Sequence, residues 1–130
     1  MLRLLATCDS FISLHRSEGF GLGLAQAMAL GKPEIGTGYS GNMDFMNESN
    51  SFLVRYELTE LEHDYGPYEK GNVWAEPSIE HAAELMRLVQ RDPAQAGAKA
   101  ARAARDVRRR LAPAACGATM LERLRHLTEP

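Results

Sequence analysis

Residues 17–33 read SEGFGLGLAQAMALGKP, and this stretch decides the fold. Its closely spaced glycines open a helix that we predict over about residues 21–30. Gly31 suits the left-handed position that follows a helix, and Pro33 prevents the helix from continuing. A loop of this kind leaves backbone N–H groups free at a helix N-terminus, where an anionic ligand is favoured. Glu18 stands at the mouth of this predicted anion site.

Short apolar segments around this helix are typical of buried parallel strands. We predict strands at residues 11–15, 34–37 and 51–54, with one helical turn at 43–46. Helices are predicted at residues 2–7, 79–91, 94–111 and 114–127, and an irregular segment rich in acids and aromatics at 56–74. The order of strands and helices predicts an α/β fold with a parallel sheet.

The bulk composition excludes several classes of function. The chain has 130 residues, which bounds it to one domain, and a net charge of −2, which argues against nucleic-acid binding. Basic side chains between residues 99 and 110 are interpreted as one solvated helix face. The sequence shows neither a signal peptide nor an apolar run of membrane-spanning length, so we expect a cytoplasmic protein with reduced Cys8 and Cys116.

The predicted sheet is small. Three strands are few for a doubly wound sheet, which usually has five or six. We therefore expect further strands upstream and interpret residues 1–130 as part of a larger enzyme. A complete small α/β protein is the alternative.

Several segments match one known family pattern in order along the chain. They are Glu18–Leu22, Ala27–Pro33, Tyr39–Asn42, Asn50–Val54 and Val73–Pro77. Together they resemble the C-terminal, nucleotide-sugar-binding domain of retaining GT-B glycosyltransferases of group 1, over essentially the whole chain. The resemblance implies a Rossmann-like parallel sheet with flanking helices, forming the later half of that domain.

The resemblance also implies roles for individual residues. Glu18 matches the motif glutamate that contacts the transferred sugar, and we assign it the catalytic position. Position 26, eight residues later, contacts the nucleotide ribose in this family. The other residues expected to bind the donor are Arg16, Gly19, Phe20, Gly21, Leu22, Ser40, Gly41 and Asn42. The family generally needs no metal, so we expect no cofactor besides the nucleotide-sugar, which is the donor substrate.

Two residues depart from the family pattern. Gln26 replaces the second motif glutamate, and the loss of charge costs about 1 kcal/mol of donor affinity, or about fivefold. Glu34 stands where the family has an apolar strand residue, and a buried carboxylate there must be exposed, paired or protonated. Both departures favour a second hypothesis, an inactive remnant domain that serves protein association. A third hypothesis is a compact phosphate-binding protein with another chemistry.

The resemblance further implies missing parts. In this family the acceptor domain precedes the donor domain, and an upstream basic pair holds the diphosphate. Because the 130 residues contain neither, we expect the isolated chain to lack transferase activity. An open sheet edge also offers a route to a homo-oligomer.

Overall fold

A computed structural model describes residues 2–128 and confirms the α/β class. Its helices are α1 (Leu2–Thr7), α2 (Leu22–Ala29), α3 (Ile79–Arg91), α4 (Pro93–Arg110) and α5 (Pro113–Thr128), with one 3₁₀ helix at Gly41–Asp44. Its strands are β1 (Phe11–Ser13), β2 (Glu34–Thr37), β3 (Phe52–Val54), β4 (Tyr56–Glu60) and β5 (Val73–Pro77).

Strands β1, β2 and β3 form a parallel sheet with β2 in the centre. Ile12 pairs with Ile35, and Ile35 pairs with Phe52 on the other side. The prediction for β2 is confirmed to the residue, and the two outer strands are shorter than predicted. Because the strands are parallel, their carboxyl ends all open at one edge of the sheet.

Helices cover both faces of this sheet. On one face, Leu24 and Met28 of α2 pack with Phe45 and with Ala103 and Val107 of α4. On the other face, Ile35 packs with strand β3 and with alanines from α3 and α4, namely Phe52, Val54, Ala82 and Ala96. The left-handed Gly31 (φ 69°) closes α2 as the sequence predicts. The central strand is consequently shielded from water on both sides.

The prediction of an irregular segment at residues 56–74 is wrong at its two ends, which form strands, and is confirmed for residues 61–72, which form turns. Strands β4 and β5 pair antiparallel, with Tyr56 opposite Pro77 and Glu60 opposite Val73. We call residues 56–77 the ribbon. Tyr56 and Leu58 alternate with Glu57 and Thr59 in β4, yet every residue of the strand is exposed, so this alternation does not mark a buried face. The acidic and turn-forming residues of this segment predicted irregular structure, and the pairing of its two strands is evident only in the folded chain.

The carboxy-terminal helix α5 extends one residue beyond its predicted bounds at each end, and it buries none of its residues. Met120, Leu121, Leu124 and Leu127 all lie exposed on it. Within residues 2–128, we find no helix with the length and apolarity needed to cross a membrane.

Glu34 is buried at the centre of the sheet, with 1% of its surface exposed. Neither carboxyl oxygen has a hydrogen-bond partner. Strands β1 and β3 and helix α2 contain no charged residue, and no charged side chain of the helices packed on the sheet pairs with Glu34. Burial raises the pKa of Glu34 to about 9. Of the three states that the sequence allows for this carboxyl, the structure therefore selects the protonated one at neutral pH.

This buried carboxyl should make stability fall as pH rises. The folded chain retains the Glu34 proton up to about pH 9, whereas the unfolded chain releases it near 4.5. The contribution of Glu34 to the free energy of unfolding is therefore fully present below pH 4.5. It is lost progressively as the pH rises to the pKa of the folded chain. We expect the stability of Glu34→Gln, relative to the parent, to increase by about 3 kcal/mol between pH 4.5 and about pH 7.

Urea unfolding across this pH range checks the prediction. Glu122→Gln on the exposed helix α5 is the control, and its curve should run parallel to that of the parent chain. A difference between Glu34→Gln and parent that stays constant with pH would contradict a protonated Glu34.

Candidate functional site

Two loops meet at the carboxyl edge of the sheet. Residues 17–21, the glycine loop, follow β1, and residues 38–42, the second loop, follow β2. Ligands of open α/β sheets bind at this edge, outside the carboxyl ends of the strands. The helical turn predicted at 43–46 begins earlier, as the 3₁₀ helix at Gly41–Asp44, and so belongs to this edge.

Hydrogen bonds lock the two loops together at Glu18. The hydroxyl of Ser40 donates to the Glu18 carbonyl at 2.6 Å, and the Glu18 N–H donates to the same hydroxyl at 3.0 Å. The Gly41 N–H donates to that carbonyl as well, at 3.0 Å. Ser40 adopts a positive φ of 81°, which is costly for a residue other than glycine. The backbone of Glu18 is consequently fixed, while its side chain is half-buried at the edge.

The glycines at this edge have different roles. A Cβ at Gly41 would lie 1.9 Å from the Gly19 carbonyl oxygen, so only glycine allows this close approach. Gly21 has a φ of 88° and is packed against Asn42 and Phe45. A Cβ at Gly19 would meet nothing within 4 Å. Gly41 and Gly21 are therefore required by the fold, whereas Gly19 leaves open space at the surface.

Asn42 holds the second loop from inside. Its side chain is fully buried, and its amide donates to the Thr37 carbonyl at 3.0 Å. His15 Nε2 lies 3.0 Å from Asn42 Oδ1 and 3.1 Å from the Tyr39 carbonyl. Since both of these are acceptors, Nε2 carries the proton, and Nδ1 accepts from Ser13 at 3.1 Å. The side chain of Asn42 therefore orders the loop and does not face the surface, and its part in donor binding stays a prediction.

Helix α2 begins directly after the glycine loop without a side-chain cap. The N–H groups of its first turn have no partner within the helix, so they remain free for an anion. Leu22 is 62% exposed at this turn, and Gln26 is half-buried four residues later on the same side of the helix. Phe20 is 43% exposed while its ring packs on Phe45 at 5.2 Å. Phe20 therefore both supports the loop and presents a ring at the edge.

Arg16 joins the glycine loop to the ribbon. Its guanidinium donates to both carboxylate oxygens of Glu76, at 2.6 and 2.9 Å, and lies 5.0 Å from the centre of the Trp74 ring. Its carbonyl accepts from the Ala75 N–H at 2.9 Å. The hydrogen bond to Glu76 raises the pKa of Arg16, and the pKa of Glu76 is lowered in return. Arg16 is thus engaged by the ribbon in this structure.

The sequence reasoning missed Trp74 and Glu76 as neighbours of the site. The signal lay in the segment Val73–Pro77, which was matched to the family pattern only as the approach to the next helix. A second contact links the same parts, because the rings of Tyr39 and Tyr56 lie 5.2 Å apart. The ribbon therefore forms one wall of the edge at which the two loops meet.

The chemistry of this edge suits an anion. Within residues 2–128, no three His, Cys, Asp or Glu side chains cluster as metal ligands. The edge instead combines free helix N–H groups with the carboxylate of Glu18, which has no hydrogen-bond or ion-pair partner among the described residues. Such an arrangement can hold a phosphate at the helix and hydroxyl groups at the carboxylate. The absence of a cofactor stays a prediction.

Comparison with known proteins establishes the fold. No protein-family model and no curated protein sequence matches the chain. Its structure is similar to Anabaena Alr3699/HepE, solved by crystallography in complex with UDP, with a TM-score of 0.72 and 20% sequence identity. The likeness covers 95% of this chain and 29% of the HepE chain. The chain therefore has the fold of one portion of a much longer, UDP-bound protein.

The glycine contacts make a matched pair of variants. We expect Gly41→Ala to lower the free energy of unfolding by about 1–3 kcal/mol, because its Cβ collides with the Gly19 carbonyl and breaks the loop contact. Gly19→Ala should change it by less than about 0.5 kcal/mol, since its Cβ enters open space. Thermal and urea unfolding of both variants measure the difference. Equal destabilisation would show that the two loops are not held as described.

Proposed function

We propose that this chain is the nucleotide-sugar-binding part of a glycosyltransferase, which transfers a sugar from a nucleotide-sugar to an acceptor hydroxyl. The observation that carries the proposal is the uncapped N-terminus of α2 beside the carboxylate of Glu18, at the carboxyl edge of the sheet. The motif resemblance and the likeness of the fold to a UDP-bound protein both support it.

The donor diphosphate is assigned to the first turn of α2. Its N–H groups and the positive end of the helix dipole favour phosphate, and the open space at Gly19 lets a ligand approach the backbone. No basic side chain is free at the glycine loop itself, because Arg16 is bound to Glu76. Backbone groups therefore supply most of the positive charge that this chain offers to the donor.

Glu18 is assigned to the transferred sugar. A carboxylate accepts strong hydrogen bonds from sugar hydroxyls, and its backbone is already fixed by Ser40 and Gly41. A fixed group binds with less entropic cost than a mobile one, which favours a defined sugar position. Retention at the anomeric carbon is proposed on the family resemblance alone.

Gln26 is assigned to the ribose. It lies one turn beyond Leu22 on the same side of α2, so the helix brings it to the side on which the donor is proposed to lie. Its amide oxygen accepts a hydrogen bond but carries no charge, which weakens donor binding without abolishing it. The acceptor domain and the further residues that transfer requires are proposed to lie outside these 130 residues.

A second candidate function is an inactive domain retained for protein association. Gln26 in place of the motif acid favours it, as does helix α5, whose Met120, Leu121, Leu124 and Leu127 are exposed. This candidate and the donor-binding proposal differ in whether a nucleotide-sugar binds at all.

Calorimetric titration with UDP, UDP-sugars and GDP-sugars tests the proposed site. We expect Glu18→Gln to weaken nucleotide-sugar binding about tenfold and to leave free UDP binding unchanged, because Glu18 is assigned to the sugar. Glu122→Gln on α5 is the matched control and should bind like the parent chain. If no nucleotide or nucleotide-sugar binds, the donor-binding proposal is wrong and the association role gains support.

The ribose assignment has its own test. Gln26→Glu restores the charge of the motif, so we expect it to bind UDP and UDP-sugars about fivefold more tightly than the parent chain. Transfer from a radiolabelled donor by the isolated chain should remain undetectable in both proteins. An unchanged affinity in Gln26→Glu would show that this side chain does not contact the ribose.

A further inference from the structure

One face of the ribbon collects side chains that the donor site does not use. Residues opposite each other in antiparallel strands point to the same face, and the register pairs Glu57 with Glu76 and Thr59 with Trp74. These four side chains therefore share a face. Tyr56, Leu58 and Glu60 alternate to the other face of β4.

Aromatic rings extend this face at one end. Tyr65 and Tyr68 exchange backbone hydrogen bonds of 2.8 and 3.1 Å, which close the turn between them. Their rings lie 5.2 and 6.1 Å from the ring of Trp74. Both tyrosines are nonetheless exposed, by 51% and 38%. Rings that are fixed in place and still exposed form a ready-made stacking surface.

A cavity of about 620 Å³ adjoins this face and also reaches Tyr56 and Pro77 at the end of the ribbon. We call it the ribbon groove. Its ribbon side includes Glu57, Thr59 and Glu76, and its opposite side includes Arg55, Ser78 and Glu80. Carboxylates accept hydrogen bonds, guanidinium donates them, and hydroxyls do both, so the groove can pair with a ligand rich in hydroxyl groups.

The negative charge of the ribbon indicates that a ligand of this surface is uncharged. Residues 56–77 carry six Asp or Glu side chains against a single Lys. Glu76 already neutralises Arg16, the cation nearest to the aromatic rings. Such a surface repels phosphates, so a nucleotide is disfavoured there. Aromatic rings beside uncharged and acidic hydrogen-bonding groups fit a neutral sugar, whose flat faces are apolar and whose rim is hydroxylated.

We propose that the ribbon groove and the rings of Tyr65, Tyr68 and Trp74 bind a neutral oligosaccharide, at a site distinct from the donor site. Arg16 contacts Trp74 and Glu76 and lies two residues before Glu18, so the groove is continuous with the donor edge. An anionic donor and a neutral oligosaccharide are thereby directed to neighbouring surfaces of opposite electrostatic character.

Trp74 is the only tryptophan in the sequence, so tryptophan fluorescence reports directly on this surface. We would titrate the 130-residue chain with neutral trisaccharides, namely maltotriose, cellotriose and mannotriose. At least one should change the fluorescence, with half-saturation on the order of 1 mM. Tyr65→Leu should weaken this binding, because it removes an exposed ring of the stacking surface.

Two acids of the same strand give a matched control. Glu57→Gln removes a charged acceptor from the groove and should weaken oligosaccharide binding about tenfold. Glu60→Gln alters a similarly exposed side chain on the opposite face of β4 and should leave the affinity unchanged. Far-UV circular dichroism of each variant confirms that the ribbon remains folded.

A parallel calorimetric titration with UDP separates this proposal from the donor-binding proposal. Oligosaccharide binding that depends on Glu57 supports the groove whether or not UDP binds. The proposal is overturned if no trisaccharide changes the fluorescence, if Glu57→Gln and Glu60→Gln act alike, or if UDP displaces the oligosaccharide competitively. In each of these cases, UDP-sugar binding that depends on Glu18 would still support the donor-binding proposal.

Discussion

The lock between the two loops at Glu18 is the constraint on which the rest of the site depends. A single backbone position receives the Ser40 hydroxyl and the Gly41 amide, and it donates its own N–H in return. These hydrogen bonds are possible because Gly41 has no side chain and because Ser40 adopts an unfavourable backbone conformation. Backbone strain of this kind persists only where the surroundings hold it in place, and it is common at binding sites.

The lock acts together with a second connection, from Arg16 to the ribbon. The ion pair with Glu76 is exposed and so adds little stability by itself. The ion pair instead positions Arg16, the residue that precedes the glycine loop. The bidentate contact, the Trp74 ring and the Ala75 amide all hold Arg16 in place. The loop is thus held from the second loop on one side and from the ribbon on the other.

Local signals explain where sequence reasoning succeeded. Gly31 and Pro33 define the end of α2, and β2 follows directly after this stop, because both signals depend on residues close together in the chain. The ribbon was missed because β4 is exposed throughout and its only strand partner, β5, lies beyond a long turn. The hydrogen bond between Asn42 and His15 was not foreseen, because the two residues lie 27 positions apart. A single contact over that separation leaves no pattern in the sequence.

By itself, the sequence determined the parallel α/β arrangement, the helix that opens after the glycine loop, and the position of Glu18 beside it. These features follow from short-range propensity and from one apolar run after another. The tertiary structure decided the rest. It showed that Glu34 is buried and protonated, that Gly41 and Ser40 position Glu18, and that an acidic ribbon borders the site. Burial, close approach and long-range pairing arise only when distant segments pack, and so no local pattern contains them.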